Sequence, residues 1–212
     1  TLNNKMMTDI KPKRIRLSPE ARQEHLLDCS AEMIATDGIA GFTMEGLAKR
    51  ANVSAPLVYN YFPNRIELLQ TLLKREFARF NRRSANDAEQ ATSFEDIVRV
   101  AVRSNFEHYA PGTVLPILIT QPEIASVVQN RLVQNSRQAA SYLIEKVSEH
   151  YRLDEDTARL IVQLSSGAAW SAAELAGKRG LSMDTTVELT VNYIIAGIET
   201  LVAGKKNERQ FK

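Results

Sequence analysis

Apolar residues recur along this chain at three- and four-residue intervals, a spacing that predicts helices nearly everywhere and strands almost nowhere. Ser18-Pro19-Glu20 reads as a helix start: Ser18 caps, Pro19 suits the first helical position and Glu20 favours the positive end of the dipole. Leu26, Leu27, Met33 and Ile34 follow, and Gly38 supplies the stop. Two short helices are expected next, about Thr43 to Ala51 and Ala55 to Tyr61. Asn64 with Glu67 three residues on opens a fourth, through about Arg83. The polar stretch Ser84 to Thr92 is either its fraying end or a linker. Ser93, with Asp96 at the capping-box position, starts a helix to about Tyr109, whose centre from Ile97 to Val102 is apolar nearly all round and expected to be buried on several sides. Pro111-Gly112 breaks the chain. A short helix is then expected, and after it a long one from Pro122 to near His150. Two more follow over about Asp154 to Ala176 and Asp184 to Val202, separated by a loop holding Gly177 and Gly180. The pattern is that of an all-α protein of about nine helices, without internal repeats.

Composition narrows the class. Hydrophobic residues at 44% and charged residues at 25% fit a globular chain and argue against disorder, and 212 residues suffice for a sizeable core. No apolar run approaches the roughly 20 residues that cross a bilayer, and the N-terminus lacks a signal-peptide stretch. The expectation is a cytoplasmic, nucleoid-associated protein with no membrane partner. The single cysteine, Cys29, excludes an internal disulfide and is expected as a buried, inert thiol, with a redox sensor as the alternative. The net charge of +2 hides an asymmetry: residues 1–83 carry 14 basic against 9 acidic side chains, the remainder 13 against 16. The excess is densest in residues 1–17, where Lys5, Lys11, Lys13, Arg14 and Arg16 face only Asp9. Such an arm is equally an ordinary solvated terminus or a phosphate-seeking extension.

The stretch from Gly41 to Phe62 decides between these. It reads as two short helices joined by a tight turn. Leu47, Ala48 and Ala51 form the inner face of the first, the alanines small enough for the second to cross closely. Asn52-Val53-Ser54 is the turn: Asn52 tolerates left-handed backbone and Val53 plugs the angle. Ser54 caps the second helix and Pro56 sits in its first turn. Val58 and Phe62 face the core, leaving Ala55, Leu57, Tyr59, Asn60 and Tyr61 for a groove. This is a helix-turn-helix pattern, whose second helix enters the major groove.

The run from Phe42 to Leu68 resembles the DNA-binding signature of the tetracycline-repressor-like (TetR) family: an apolar residue and Thr opening helix two, Leu-Ala, an Ala-x-Val-Ser turn, and Tyr-x-Tyr-Phe before a helix start. The resemblance covers helices one to four at motif level; beyond them only helix count and order agree. It implies a three-helix DNA-binding domain over 18–63, behind the basic arm of 1–17, and a helical ligand-binding and dimerisation domain over 64–212. It implies that Thr43, Tyr59, Tyr61 and Arg65 contact the sugar-phosphate backbone, with Arg65 where the family usually has Lys, that Ala55, Pro56, Leu57 and Asn60 lie at the bases, and that Ser54 belongs to the same DNA-binding surface. Pro56 and Leu57 stand where many members have Gly and Thr. Leu57 can then touch thymine methyls, Asn60 is the best candidate for reading adenine, and shape readout and the basic arm with Lys13, Arg14 and Arg16 are expected to carry more of the specificity.

One recognition helix reads few base pairs, so two are needed on a palindromic operator, which implies a homodimer. The last two helices offer the contact through Leu160, Leu164, Ala168, Ala172 and Leu175, and through Val187, Val191, Ile194, Ile195, Ile198, Leu201 and Val202. Packing inside one subunit explains the same stripes. The resemblance also implies an unidentified small-molecule effector between the middle helices. Candidate lining residues are Asn105, Phe106, Tyr109, Leu115, Ile119, Ile124, Val128, Leu132 and Trp170, each of which core packing explains equally. The expected function is a repressor released by its inducer; the alternative is a DNA-bound protein-interaction factor. No cofactor, metal or enzymatic role is expected. His25, His108 and His150 sit on separate helices without ligand spacing, and Cys29 has no base nearby in sequence.

Overall fold

The computed structural model describes residues 17–107 and 113–210, the last six as backbone only. Among these residues there are ten helices and no strand: α1 (Pro19–Asp37), α2 (Met44–Arg50), α3 (Ala55–Tyr61), α4 (Arg65–Gln90), α5 (Phe94–Glu107), α6 (Leu115–Ile119), α7 (Pro122–Ala125), α8 (Gln129–Tyr151), α9 (Glu155–Arg179) and α10 (Met183–Gln210). The all-α expectation holds, with one helix more than the nine expected.

Local chemistry sets most boundaries. Ser18 accepts from the Ala21 amide at 3.2 Å, and Gly38 ends α1 at φ +74°. Asn64 accepts from the Glu67 amide and donates to its carboxylate, both at 2.9 Å. Ser93 and Asp96 form a reciprocal capping box, each accepting from the other's backbone amide, at 3.1 and 3.0 Å. Three boundaries differ from the sequence expectation. α4 continues through residues 84–90, which contain neither glycine nor proline and are rich enough in helix formers to extend it. The long helix expected from Pro122 is interrupted after Ala125. Here the Val128 amide closes a turn on the Ala125 carbonyl, so that Ile124 and Val128 are both buried under α4. α9 runs through Gly177 and stops only at Gly180, in left-handed backbone at φ +62°.

Two apolar clusters result. The first joins α1, α2, α3 and the first half of α4 to α6 and α7. Leu26, Ile34, Leu47, Val58, Leu68, Leu69, Leu72, Leu73 and Leu118 are fully buried in it. Each such side chain contributes about 1.5–3 kcal/mol of burial. The second packs α5, the later part of α8, α9 and α10 around Val98, Val102, Ile144, Ala173, Val187 and Val191. α5 shows the expected burial on several sides: nothing from Ile97 to Val102 is exposed.

Charged groups tie helices at the edges. Arg75 on α4 reaches Asp28 at 2.8 Å and Glu24 at 3.1 Å on α1, beside its own neighbour Glu76. Arg99 on α5 meets Glu188 on α10 at 2.8 Å, and Arg103 meets Asp184 at 2.8 Å.

α10 is apolar on more than one side. Met183–Gly204 is long and apolar enough to cross a membrane by length and composition, although no continuous apolar run exists there. Apolar residues on two sides of the helix raise its average. Val187, Val191, Ile194 and Ile198 fill the second cluster, while Leu189, Tyr193 and Leu201 stand exposed.

Candidate nucleic-acid interface and internal cavity

The turn between α2 and α3 forms as its residues dictate. Asn52 adopts φ +53°, and the Val53 amide returns to the Ala48 carbonyl at 2.9 Å. Thr43 caps α2 by accepting from the Gly46 amide at 3.0 Å. Gly46 is required by close approach: a Cβ there would lie 2.9 Å from the Thr43 hydroxyl and 3.2 Å from the Met33 methyl on α1. With Val58 and Phe62 buried, α3 presents Pro56, Tyr59 and Asn60 outward, with Ser54 just before it. Leu57 is half-buried, and Ala55 and Tyr61 pack at the edge of the first cluster. Thr43, at the start of α2, is exposed. Lys13, Arg14 and Arg16 lie outside the described residues.

Three side chains differ in detail from expectation. Ser54 stands at the N-cap position of α3 but makes no capping hydrogen bond. The second residue of α3 is Pro56, which has no amide proton, and the Leu57 amide goes to the Ser54 carbonyl at 3.0 Å. The hydroxyl is left for another partner. Arg65 donates through Nε to the Phe42 carbonyl at 3.1 Å and through Nη2 to the Ile39 carbonyl at 2.7 Å, its guanidinium 6.0 Å from the Phe42 ring centre. It clasps the α1–α2 turn to the start of α4. The Tyr59 hydroxyl donates to the Glu45 carboxylate at 3.0 Å, which pushes the phenol above its ordinary pKa. Glu45 was not among the residues expected here, because nothing in helical spacing links positions fourteen apart.

The middle helices hold a cavity of about 90 Å³ between α5, α8, α9 and α10. Phe94, Val98, Val102, Val147 and Ile194 supply apolar walls, and Asn105, Ser165 and Ser166 the polar groups. Among the described residues, no lining side chain is charged. On the far side of Ile97, Ala101, Asn105 and Leu143, which border both spaces, lies a second one of about 360 Å³ beneath α4. The buried Ser84 hydroxyl there has no hydrogen-bond partner. Of the expected lining residues that the structure describes, only Asn105 borders the inner cavity. Phe106 is buried in the second cluster. Leu115, Ile124 and Val128 are buried in the first cluster, with Ile119 and Leu132 against it, because α6 and α7 pack under α4 and not beside α9. Trp170 is half-exposed on α9, and Tyr109 lies outside the described residues.

The faces expected to meet a partner divide in two. Val187, Val191, Ile194 and Ile198 belong to the subunit's own core; since both sides of α10 are apolar, periodicity does not say which one turns inward. Ile195, Val202 and Ala172 pack partly against the same core. Leu160, Leu164, Leu175 and Leu201 are exposed, together with Trp170, Leu189 and Tyr193, and Ala168 is half-buried. Large apolar side chains at this spacing line the outer faces of both final helices.

Cys29 is buried, and burial raises its thiol pKa, as expected of an inert group. It does have a base beside it, however: His25, one helical turn earlier, brings a ring nitrogen to 3.9 Å. His150 stacks on Phe94 at 4.4 Å. His108 lies outside the described residues.

Comparison with known proteins agrees with this geometry. Residues 26–72, which span α2, α3 and their supports on α1 and α4, match the model of bacterial regulatory proteins, tetR family. The transcriptional activator FasR of Mycolicibacterium smegmatis is 25% identical over 86% of this chain and 85% of its own. The repressor KstR of Rhodococcus jostii is 34% identical over a shorter match covering 31% of each chain. Among solved structures, the regulator FadR of Bacillus subtilis, determined with stearoyl-CoA, shares the fold with a TM-score of 0.58 at 18% identity over 82% of this chain and 98% of its own. Residues 26–72 thus carry the DNA-binding domain of tetR family regulatory proteins, on an all-helical body similar to that of a transcriptional regulator along most of its length.

Proposed function

We propose that this chain is a homodimeric repressor that holds a palindromic operator until a small, uncharged and largely apolar effector enters the cavity between α5, α8, α9 and α10. The cavity carries the proposal. An ion moved among Val98, Val102, Ala169 and Ile194 would lose its hydration with no opposite charge to replace it. An apolar body loses nothing and gains burial. The inner space and the one beneath α4 together fall within the usual range for ligand sites, about 300–1,000 Å³. The acyl chain of the stearoyl-CoA held by the Bacillus subtilis neighbour makes neutral compounds that carry an acyl chain the first to try.

Dimerisation uses the outer faces of α9 and α10, where Leu164, Trp170, Leu189 and Tyr193 stand exposed. Contiguous exposed side chains of this kind mark association surfaces. Two subunits place two α3 helices on half-sites about 34 Å apart, or a multiple of that. Asn60 then reads adenine, while Lys13, Arg14 and Arg16 supply phosphate contacts that act on any sequence.

The test is titration of the purified protein against a DNA fragment carrying its own promoter, at two salt concentrations, then with acyl compounds of increasing length. Saturable, salt-dependent binding of two subunits per site, reversed by a neutral apolar compound and not by a small cation, is the expected result. Binding that no apolar compound weakens would sink the effector half of the proposal.

A further inference from the structure

Two expected phosphate contacts flank a carboxylate. Thr43 caps α2, Glu45 is the second residue of that helix, and Tyr59 projects from α3 to meet Glu45. All three side chains are on exposed residues, Tyr59 with 41% of its surface free. A phenol hydroxyl has one proton to donate. In the free protein that proton is committed to Glu45 Oε1 at 3.0 Å, so it cannot also serve a phosphate oxygen. Contact between Tyr59 and DNA through its hydroxyl therefore requires this bond to break. It also leaves a full negative charge beside the phosphate that replaces it.

We infer that Glu45 is a positioning residue that limits DNA affinity, by competing with phosphate for the Tyr59 hydroxyl and by repelling the backbone at the same place. The inference rests on α3 and the start of α2 facing DNA. Its physical basis is that a hydrogen bond to an ionised acceptor is stronger than one to a neutral acceptor, and the phosphate must displace one such bond to make another. The raised pKa of the Tyr59 phenol agrees with an ionised Glu45 beside it. An acid at the second position of α2 also favours the helix dipole, but that role does not involve Tyr59. A limited affinity suits a regulator that must leave DNA when its effector binds, because the effector then has less binding to overcome.

The experiment uses the full-length protein with a random-sequence duplex of 30 base pairs and with duplexes that the wild type selects from a random pool. Four proteins are compared across a range of salt: wild type, E45Q, Y59F and the double variant. Thermal unfolding of each confirms that it is folded. E45Q is expected to bind both DNAs about fivefold or more tightly, and its salt dependence should steepen by up to about one unit of slope, as fits removal of one negative charge from the contact. In the Y59F background the same change is expected to gain distinctly less, since no hydroxyl remains to be released. Unchanged or weaker binding by E45Q overturns the inference. A gain of equal size with and without the hydroxyl overturns it too, and reduces Glu45 to a bulk charge. Failure of the wild type to bind any duplex would instead remove the DNA-facing assignment on which it rests.

Discussion

Filling the inner cavity separates its two roles, as a packing defect and as a site. Ala169 on α9 is 2% exposed and lines it, so Ala169→Leu sends three further heavy atoms into that space. At about 24 cal/mol per Å³, a void of about 90 Å³ corresponds to about 2 kcal/mol, the most that a strain-free filling returns. A leucine fills part of it and loses about 0.5–1 kcal/mol of rotamer freedom, which leaves a gain of about 1 kcal/mol. For a chain of this length that is a rise of about 2–4 °C in Tm. DNA binding without effector should be unaffected, because Ala169 belongs to the second cluster and the reading surface to the first. Thermal unfolding and promoter titration with and without an acyl compound measure all three quantities. A protein that is more stable, binds DNA normally and no longer responds is the expected outcome. The reasoning fails if Tm falls by several degrees, the signature of overpacking at about 1–3 kcal/mol, while the response persists.

Three other outcomes are expected. Tyr193→Asp places a charge on the exposed face of α10, away from the subunit core, and should give a folded monomer by light scattering with operator affinity reduced about a hundredfold; a dimer of normal affinity would place the partner contact elsewhere. Arg65→Met removes two charge-assisted bonds to the Ile39 and Phe42 carbonyls and should cost about 2–3 kcal/mol in urea unfolding, with Arg65→Lys recovering only part; a neutral effect would refute the clasp. The Arg99 guanidinium beside Glu188 holds its carboxyl below the ordinary range. A carboxyl with a lowered folded pKa contributes stability above its unfolded value, about 4.3, and loses it as pH falls through the lowered one. The wild-type Tm should thus drop more steeply than that of Glu188→Gln between about pH 5 and 3, and parallel curves would mean that the pair adds nothing.

What could be read in the sequence followed how local the cause was. The head was legible because each device there spans a few residues: Asn52 for the left-handed turn, Asn64 and Glu67 for the cap, Val58 and Phe62 for the inner face. The cavity was not, since its walls combine residues from α5, α8, α9 and α10, and only packing decides that Leu143 and Val147 reach it while Leu115 and Ile124 go under α4. α10 shows the limit of periodicity itself. A helix apolar at Val187, Val191 and Ile194 and again at Leu189 and Tyr193 has two candidate inner faces, and the choice belongs to its neighbours. Arg65 illustrates a different gap: the resemblance implies a phosphate contact for it, but nothing in the sequence shows that it also bonds two carbonyls of its own chain, which lie 23 and 26 residues away.

The missing amide proton of Pro56 reaches further than its own position. Almost any other residue at 56 would restore a donor at the second position of α3, and the Ser54 hydroxyl would then have an acceptor's role inside the helix. The consequences of changing residue 56 for DNA choice therefore depend on what stands at 54, and the reverse is also true. Substitution scans taken one position at a time will assign to each of these residues an effect that belongs to the pair, and an evolutionary path that alters operator preference through α3 has a preferred order of steps.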